Sequence, residues 1–359
     1  MNTQNTTYHL SHIDLDGYSC QLITNELFNT INFFNSNYGQ EVSERLEQIL
    51  ALIDANDEDA NILISDLNLT FKESKFLDAA VKERNSDTKK VHLLLLDHHG
   101  SGQDSADEFS WYDLDTKRCA TKIVYDYALA NWDIPEALNE WLEPFVNIVN
   151  AVDLWKMEET ENFEYGKVCM RLVTETRELN RYIFDQFDRD YKFALLKEAA
   201  TMSQVENAPI ILDEKIHKMK KAFFTLDKNN TLDGLATAYV VDLIGKLQDT
   251  FTVNFRGYKG ILTYALGNTS IIGNGILKAY PEFDFVMDIG MRGTMSLRAD
   301  NKIDVSILAK ELAGGGGHPN ASGGRIKEFK ESYKYENVKT FIEERLSKIE
   351  AKSKIPLKG

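Results

Sequence analysis

The sequence predicts an α/β protein, in which an N-terminal domain with a parallel sheet precedes a smaller C-terminal α+β domain. Short apolar runs alternate with helical patterns in the first half, and glycine-rich runs of β type fill the last third. A charged stretch with helical spacing and no strand pattern separates them. The predicted limits are 1–185 for the N-terminal domain, 186–225 for a helical linker, 226–346 for the C-terminal domain and 347–359 for a tail.

Three apolar runs predict the strands of the N-terminal sheet. They cover residues 8–13, 60–65 (ANILIS) and 91–96 (VHLLLL). The third run is nearly all apolar, which is typical of a strand that is buried on both faces. Helical patterns follow from about Tyr18 and over 70–84, 119–130 and 136–151. Strands that alternate with helices in this way indicate a parallel sheet.

The sequence of the C-terminal domain differs in composition and pattern from that of the N-terminal domain. Its glycines are more frequent, and four runs have the composition of strands: FTVNF, GILTYAL, FDFVMDI and TMSLRA. We therefore expect a second domain of the α+β class here.

Composition and charge exclude several classes of protein. The net charge of −15 opposes binding to long nucleic acid, whereas a small phosphate ester can still bind where cations reverse the local field. No apolar stretch is long enough to span a membrane, and the N-terminus lacks a secretory signal, so a cytoplasmic location is expected. The three cysteines, Cys20, Cys119 and Cys169, are far apart and are expected to be buried thiols.

Acidic and imidazole side chains follow each of the three predicted strands. Because ligands bind at the carboxyl ends of parallel strands, these side chains are expected to meet at one edge of the sheet. A further aspartate ends a helical run in the segment NAVDLW. The candidates are Asp14, Asp16, Asp66, Asp97, His98, His99 and Asp153.

These residue types are suited to divalent metal ions. Carboxylates that lie close together raise one another's pKa, and a multivalent cation relieves the repulsion. Carboxylate oxygens with imidazole nitrogens suit Mn²⁺ and similar ions, and a pair of such ions needs a bridging carboxylate, for which Asp66 is the candidate. Each motif alone has an ordinary alternative, such as a helix cap for Asp66 or a turn for DLDG, so the prediction depends on the combination.

A second candidate site lies in the segment AGGGGHPNASGG, residues 313–324. Its glycines predict a flexible loop whose backbone N–H groups bind a phosphate, and the alternative is a plain flexible turn. Arg298 precedes it on a predicted strand, where a guanidinium could bind an oxyanion. The candidate binding residues are Arg298, Gly315, Gly316, Gly317 and His318.

The motifs SHIDLDG, ISDLN, DHHG, NAVDLW and GGGGHPNASGG together resemble the DHH phosphoesterase superfamily with its C-terminal DHH-associated domain. That superfamily includes RecJ-type exonucleases, cyclic-dinucleotide phosphodiesterases and oligoribonucleases (nanoRNases), some of which also dephosphorylate pAp. The resemblance covers nearly the whole chain. The compact architecture and the form HIDLDG are most similar to the NrnB-type nanoRNases.

The resemblance implies a role for each candidate residue. One metal ion would be held by His12, Asp14 and Asp66, and the other by Asp16, Asp66, His98 and Asp153. Asp97 would orient His98 or His99 from outside the ligand shell, and His99 would contact the scissile phosphate or assist proton transfer. Arg298, the glycine loop and His318 would bind the rest of the nucleotide.

The first motif departs from the pattern of many relatives. They place the first histidine four residues before the first aspartate, where this chain has Leu10, and His12 stands only two residues before Asp14. If His12 does not reach the metal, water or His9 is the alternative, although His9 on the first strand has the pattern of a core histidine.

We therefore predict a Mn²⁺-dependent phosphodiesterase that hydrolyses short RNA or DNA oligonucleotides to mononucleotides, with Mg²⁺ or Co²⁺ as alternative ions. Two metal ions would activate the water, in a cleft between the two domains. The alternatives left open are a cyclic-dinucleotide phosphodiesterase, a pAp phosphatase and a RecJ-type single-strand exonuclease. The expected partners are small nucleotides, with neither long nucleic acid nor membrane, and a homodimer is possible.

Overall fold

The structure is a computed structural model that describes residues 1–225 and 229–351. The chain forms two compact units. The first contains Met1–Arg177 and Arg189–Met219, and the second contains Glu178–Asp188 and the described residues from Lys220 onward. Within these residues, no helix combines the length and the apolar character that a membrane crossing requires.

The predicted boundaries of the linker and the tail do not coincide with the boundaries of these two units. Most of the segment 186–225 is helical, and residues 189–219 belong to the first unit. Residues 352–359 of the predicted tail lie outside the described residues, and residues 347–350 form the end of the last helix. The functional limits of the domains remain a prediction.

The first unit contains a five-stranded sheet in which every neighbouring pair is parallel. The spatial order is β2-β1-β3-β4-β5. The strands are β1 (Thr6–Ser11), β2 (Ile31–Asn35), β3 (Ala60–Ser65), β4 (Val91–Asp97) and β5 (Tyr112–Leu114). This confirms the predicted parallel sheet and three of its strands, whereas β2 and β5 were not predicted.

Nine α-helices are described up to residue 225. They are α1 (Leu15–Leu27), α2 (Gln40–Asp54), α3 (Phe71–Arg84), α4 (Gln103–Glu108), α5 (Ala120–Asn131), α6 (Glu136–Asp153), α7 (Phe163–Glu175), α8 (Asp185–Met202) and α9 (Ala208–Phe224). Thr70 caps α3 through a reciprocal pair of bonds: its Oγ1 accepts from the Glu73 N–H at 3.3 Å, and the Glu73 carboxylate accepts from the Thr70 N–H at 2.9 Å.

Apolar residues cover both faces of this sheet. Along β3, Ile62 and Ile64 pack into one buried cluster and Leu63 into another. Successive side chains of a strand point to opposite faces, so an all-apolar run supplies both clusters. Each such side chain contributes about 2 kcal/mol when it is fully buried. Cys20, Cys119 and Cys169 are buried free thiols, as predicted.

The second unit contains a six-stranded sheet in the order β10-β11-β9-β8-β7-β6, in which only β7 and β8 are parallel neighbours. Its strands are β6 (Thr252–Phe255), β7 (Tyr258–Tyr264), β8 (Phe285–Ile289), β9 (Thr294–Ala299), β10 (Gly316–His318) and β11 (Ala321–Arg325). Its helices are α10 (Leu232–Lys246), α11 (Gln248–Phe251), α12 (Thr269–Ala279), α13 (Val305–Ala313) and α14 (Tyr335–Glu350). The predicted α+β class is confirmed.

The glycine-rich segment differs from the predicted flexible loop. Gly316–His318 forms an edge strand that pairs antiparallel with β11. A Cβ atom at Gly315 would lie 2.1 Å from the carbonyl oxygen of Gly323, and one at Gly317, whose φ is 146°, would lie 2.6 Å from that of Ala321. These two glycines therefore permit close packing of the hairpin, and the prediction of a flexible loop was wrong here.

Candidate metal centre

The candidate residues of the first unit follow its strands, as the sequence predicts. His12 follows β1, and Asp14 caps α1 by accepting a hydrogen bond from the Gly17 N–H at 3.0 Å. A Cβ atom at Gly17 would lie 2.4 Å from the His12 carbonyl oxygen, so this turn requires glycine. Asp66 follows β3 with a φ of 53°, an uncommon conformation for a residue other than glycine.

One group of potential ligands consists of His12, Asp14 and Asp66. The Nδ1 atom of His12 lies 2.8 Å from Asp14 Oδ2 and 3.8 Å from Asp66 Oδ2. His12 thus stands beside the carboxylates despite its short spacing from Asp14. The structure brings together the three residues that the resemblance assigns to one metal ion.

A second group consists of Asp16, His98 and Asp153, the last at the end of α6. The Nε2 atom of His98 lies 3.7 Å from a carboxylate oxygen of Asp16 and 3.7 Å from one of Asp153. The same nitrogen lies 3.3 Å from Asp66 Oδ1. Asp66 therefore has one oxygen near each group, which is the arrangement a bridging carboxylate needs.

The residues of the two groups fit a divalent cation. Asp66 is buried, and among the described residues its Oδ2 atom has no hydrogen-bond partner. A buried carboxylate oxygen without a donor is costly, because its lost hydration is not replaced. Imidazole nitrogens and carboxylate oxygens are also the donor set that Mn²⁺ and related ions accept.

The N-terminus of α5 orients Asp16. The backbone N–H groups of Ala120 and Thr121 each donate to a carboxylate oxygen of Asp16 at 2.8 Å. The Thr121 hydroxyl also donates to the Asp16 carbonyl oxygen at 2.8 Å. These bonds hold the carboxylate in one orientation, because a helix N-terminus presents unpaired N–H groups and partial positive charge to it.

Electrostatics show that the carboxylates conflict in the absence of a cation. Burial, followed by the charges of Asp16 and Asp14, raises the pKa of Asp66 well above its ordinary value. The same causes raise the pKa of Asp153 to about 8. Burial also raises the pKa of Asp14, but the hydrogen bond and charge of His12 outweigh it and lower that pKa to about 2. A bound divalent ion would allow Asp66 and Asp153 to ionise alongside Asp14.

A chain of hydrogen bonds runs beside the two groups and includes His99, which forms a third potential ligand group with Asp66 and His98. Asp97 is fully buried, and its two oxygens accept from the Tyr112 hydroxyl at 2.9 Å and from His99 Nδ1 at 2.8 Å. The Tyr38 hydroxyl lies 3.2 Å from the other ring nitrogen of His99. Burial lowers the pKa of His99, but the bond and charge of Asp97 outweigh it, and the net shift is upward. The sequence left open whether Asp97 orients His98 or His99, and in the structure it orients His99.

His9 is held in the core of the first unit. Its Nδ1 and Nε2 atoms lie 2.8 Å from the hydroxyls of Thr24 and Ser65 respectively. Burial, together with the charge of Arg189, lowers its pKa to about 3. Both ring nitrogens are engaged, so His9 does not replace His12 as a ligand, and its core assignment is confirmed.

Sequence reasoning missed Tyr38, Tyr112 and the N-terminus of α5. Tyr38 follows β2, a strand that was not recognised in the run INFFN. Recognition of that strand would have identified Tyr38 by the same rule that identified the aspartates. The contacts of α5 with Asp16 leave no signal in local spacing.

The candidates of the second unit are more exposed. Arg298 lies on β9, where its guanidinium donates to the Leu297 carbonyl oxygen at 2.8 Å and to the Ser270 hydroxyl. Gly316, Gly317 and His318 are exposed on β10. The binding role of these residues remains a prediction.

Comparison with known proteins identifies close relatives. The family model of the DHHA1 domain matches residues 285–350. A Helicobacter pylori protein named 3′,5′-cyclic-nucleotide phosphodiesterase is 43% identical over 340 residues, which is 94% of this chain and 97% of that protein. The crystal structure of an uncharacterized protein from Helicobacter pylori G27 is 42% identical, with a TM-score of 0.90 over 96% of this chain and 100% of that one.

The fold, the site and these relatives together define a hydrolytic phosphoesterase. The predicted resemblance is confirmed: the chain belongs to the DHH phosphoesterase superfamily and carries a C-terminal DHHA1 domain.

Proposed function

We propose that this protein is a metal-dependent phosphodiesterase that cleaves a 3′,5′-phosphodiester bond in a small nucleotide. The observation that carries the proposal is the position of Asp66, with one oxygen 3.8 Å from His12 Nδ1 and the other 3.3 Å from His98 Nε2. A carboxylate shared by two adjoining ligand groups is the requirement of a two-metal phosphoesterase site.

Two divalent ions, most suitably Mn²⁺, with Mg²⁺ or Co²⁺ as alternatives, would be held by these groups. The first would take His12, Asp14 and Asp66, and the second would take Asp16, Asp66, His98 and Asp153. When bound, such ions lower the pKa of water and neutralise the charge that develops around phosphorus.

The remaining residues orient the substrate and move protons. Asp97 accepts the Nδ1 proton of His99 and so fixes the ring, which leaves Nε2 to serve the leaving oxygen. Arg298, the exposed Gly316 and Gly317, and His318 would bind the rest of the nucleotide, because a guanidinium and exposed backbone suit phosphate oxygens. Gly315 is partly buried and its N–H donates to the Ala309 carbonyl oxygen at 3.1 Å, so it would shape the hairpin rather than bind the phosphate.

The first candidate substrate is a 3′,5′-cyclic mononucleotide. The name of the relative that is 43% identical over nearly both full lengths supports this candidate. A compact substrate of this kind is also compatible with the net charge of −15, which repels long polyanions.

The second candidate is a short oligonucleotide, as the resemblance to nanoRNases implies. The exposed edge strand Gly316–His318 supports it, because free backbone groups along an edge can accommodate further phosphates. A cyclic dinucleotide and pAp share the same phosphate chemistry and belong in the same test.

The test is a substrate panel with purified, Mn²⁺-loaded protein. The panel contains a cyclic mononucleotide, a cyclic dinucleotide, pAp and an RNA ladder that runs from dinucleotides to long strands. Fastest turnover of the cyclic mononucleotide supports the first candidate, and turnover confined to the shortest RNAs supports the second. Cleavage of long strands alone, or activity that persists after chelation and in Asp66→Asn, would contradict the proposal.

A further inference from the structure

Trp155 is an exposed tryptophan two residues beyond Asp153 in the segment NAVDLW. It is 62% exposed, the largest fraction for a large apolar residue in the part of the chain that the structure describes. The other three tryptophans are buried or half-buried. Because tryptophan is on average highly buried, a mostly exposed indole calls for an explanation outside the packing of its own unit.

The backbone at the end of α6 holds Trp155 in an uncommon conformation. The N–H of Trp155 donates to the Val152 carbonyl oxygen at 3.3 Å, and the N–H of Lys156 donates to that of Ala151 at 2.8 Å. These two bonds form a Schellman motif, in which the residue with positive φ is usually glycine. Here that residue is Trp155, with a φ of 55°. The chain therefore carries an indole where glycine would be less strained, which favours a function for the ring.

The turn that carries Trp155 lies at the second ligand group. Asp153 ends α6, and its Oδ2 atom is 3.7 Å from His98 Nε2. Two trans peptide bonds place the Cα atom of Trp155 within about 7.6 Å of that of Asp153. The Lys156 Nζ atom donates to the Lys117 carbonyl oxygen at 3.2 Å, which ties the turn to the segment before α5. The N-terminus of α5 in turn holds another ligand of the same group, so the turn belongs to the wall of this site.

Phe163 supports the indole from one side. It is the buried first residue of α7, and its ring centroid is 5.3 Å from that of Trp155 at an interplanar angle of 88°. An edge-to-face contact of this kind orients a ring without covering most of its surface. Aromatic side chains with open surface are what proteins use to stack the bases of nucleotides.

We propose that the base of the nucleotide substrate stacks on Trp155, and this proposal rests on the phosphodiesterase function proposed above. The two ligand groups serve the phosphate, whereas the indole serves the planar ring that distinguishes a nucleotide from a simple phosphate ester. Stacking uses the π-face that every base has, so purine and pyrimidine nucleotides should both bind. Trp155 would thus select nucleotides over phosphate esters that have no base.

The first test compares a nucleotide with its base-free counterpart in Trp155→Gly. Glycine removes the indole and suits a φ of 55°, so thermal stability should be retained. The KM for the fastest substrate of the panel should rise about 10- to 100-fold, the loss expected for one stacked base. The KM for the same compound with hydrogen in place of each base should stay unchanged, because it has no ring to stack.

Three further variants separate stacking from packing. Trp155→Leu keeps bulk against Phe163 without an aromatic face and should behave as Trp155→Gly does. Trp155→Phe keeps an aromatic face and should restore most of the affinity for the nucleotide. The matched control is Phe76→Ala, which removes a 49% exposed ring from α3 of the same unit and should leave both KM values unchanged.

Fluorescence provides a readout that is independent of turnover. With Mg²⁺ as the ion, AMP should quench the emission of the wild-type protein, because a stacked base quenches an indole, whereas ribose 5-phosphate should not. The quenching should be absent in Trp155→Gly, in which the other three tryptophans remain.

The outcomes distinguish the two proposals. Equal rises of KM for the nucleotide and its base-free counterpart in Trp155→Gly, no rise for either, or AMP quenching that persists in this variant would overturn the stacking role and leave the phosphodiesterase function intact. Failure of the wild-type protein to hydrolyse any compound of the panel would overturn the proposed function, and the stacking role would stand only if AMP quenching still depended on Trp155.

Discussion

The strand ends of the first unit and the glycine-rich edge of the second unit carry their polar groups in opposite settings. Asp16, Asp66 and Asp97 are at most 1% exposed and lie among other carboxylates and imidazoles. Gly316, Gly317 and His318 are exposed throughout. The first region concentrates charge in the interior of a unit, and the second displays backbone at a surface.

The two regions differ in their effect on the stability of the folded protein. Burial raises the pKa values of Asp66 and Asp153, so their ionised forms destabilise the metal-free protein unless a cation compensates the charge. The exposed region costs little, and two of its glycines are explained by packing within the hairpin. In the first region, a substitution that removes charge should therefore raise stability and lower activity. In the second region, a substitution should be able to change substrate binding without changing stability, or the reverse.

The largest effect is expected for Asp66→Asn, which removes the shared negative charge. Activity should fall more than about 1,000-fold, beyond the 10- to 100-fold that loss of an outer-sphere partner costs. The metal-free protein should gain about 1–3 kcal/mol in free energy of unfolding, because a buried oxygen without a partner is replaced by an amide that can donate to a neighbouring carboxylate. Calorimetric Mn²⁺ titration and thermal unfolding measure both.

The gain in stability should depend on pH. The pKa of Asp66 is raised above its ordinary value of 3.8, so the folded state disfavours the charged form. Below that ordinary value the group is neutral in both states, and as the pH rises above it the wild-type protein loses stability. The advantage of Asp66→Asn should therefore grow with pH. Asp113→Asn, at an exposed position on β5, is the control, and an equal gain there would refute the explanation.

The next effect is expected for Asp97→Asn, which alters the orientation of His99. An amide cannot accept from both His99 Nδ1 and Tyr112 as the two carboxylate oxygens do. We expect kcat to fall about 100-fold with Mn²⁺ affinity retained, since Asp97 is outside both ligand groups. A loss of metal affinity as large as the loss of kcat would show that Asp97 acts through its neighbour His98 instead.

The sequence predicted much of the first region because local pattern and topology agree there. The run ANILIS forms β3 with the predicted bounds, since an all-apolar segment has no alternative to burial on both faces. Parallel pairing then brings together residues that follow separate strands, which is why Asp14, Asp66 and His98 could be grouped in advance, whereas His12 was assigned only through the family resemblance.

The remainder depends on contacts that no spacing encodes. Asp16 accepts from the Thr121 N–H across 105 positions of sequence, and only the packing of α1 against α5 brings them together. The strand β2 is short, and its run INFFN contains polar asparagines, so the strand was not recognised in the sequence. Tyr38, which follows this strand, was therefore not predicted as a site residue. The glycines of residues 313–324 indicated a special backbone correctly, but the requirement comes from hairpin packing as well as from any ligand.

A smaller effect is expected for His318→Ala in the second region. His318 is exposed at the end of β10, so its removal should leave thermal stability unchanged within about 0.5 kcal/mol. The KM should rise about tenfold, as for the loss of one hydrogen bond to a charged phosphate, while Mn²⁺ binding is retained. A lower Mn²⁺ affinity in this variant would contradict the assignment of metal binding to the first region and substrate binding to the second.

The smallest effect on activity is expected from a matched pair of glycine substitutions. A Cβ atom at Gly316 would have no heavy atom within 4 Å, whereas one at Gly317 would lie 2.6 Å from the Ala321 carbonyl oxygen at a φ of 146°. Gly317→Ala should therefore destabilise the protein by about 1–3 kcal/mol, and Gly316→Ala should change stability by less than about 0.5 kcal/mol. If a nucleotide lies against the backbone of β10, Gly316→Ala should still raise KM two- to threefold, about 0.5 kcal/mol, because the added methyl group keeps the phosphate away from the N–H groups. An unchanged KM in Gly316→Ala would mean that the glycines serve the hairpin alone, and the binding role would then rest on Arg298 and His318.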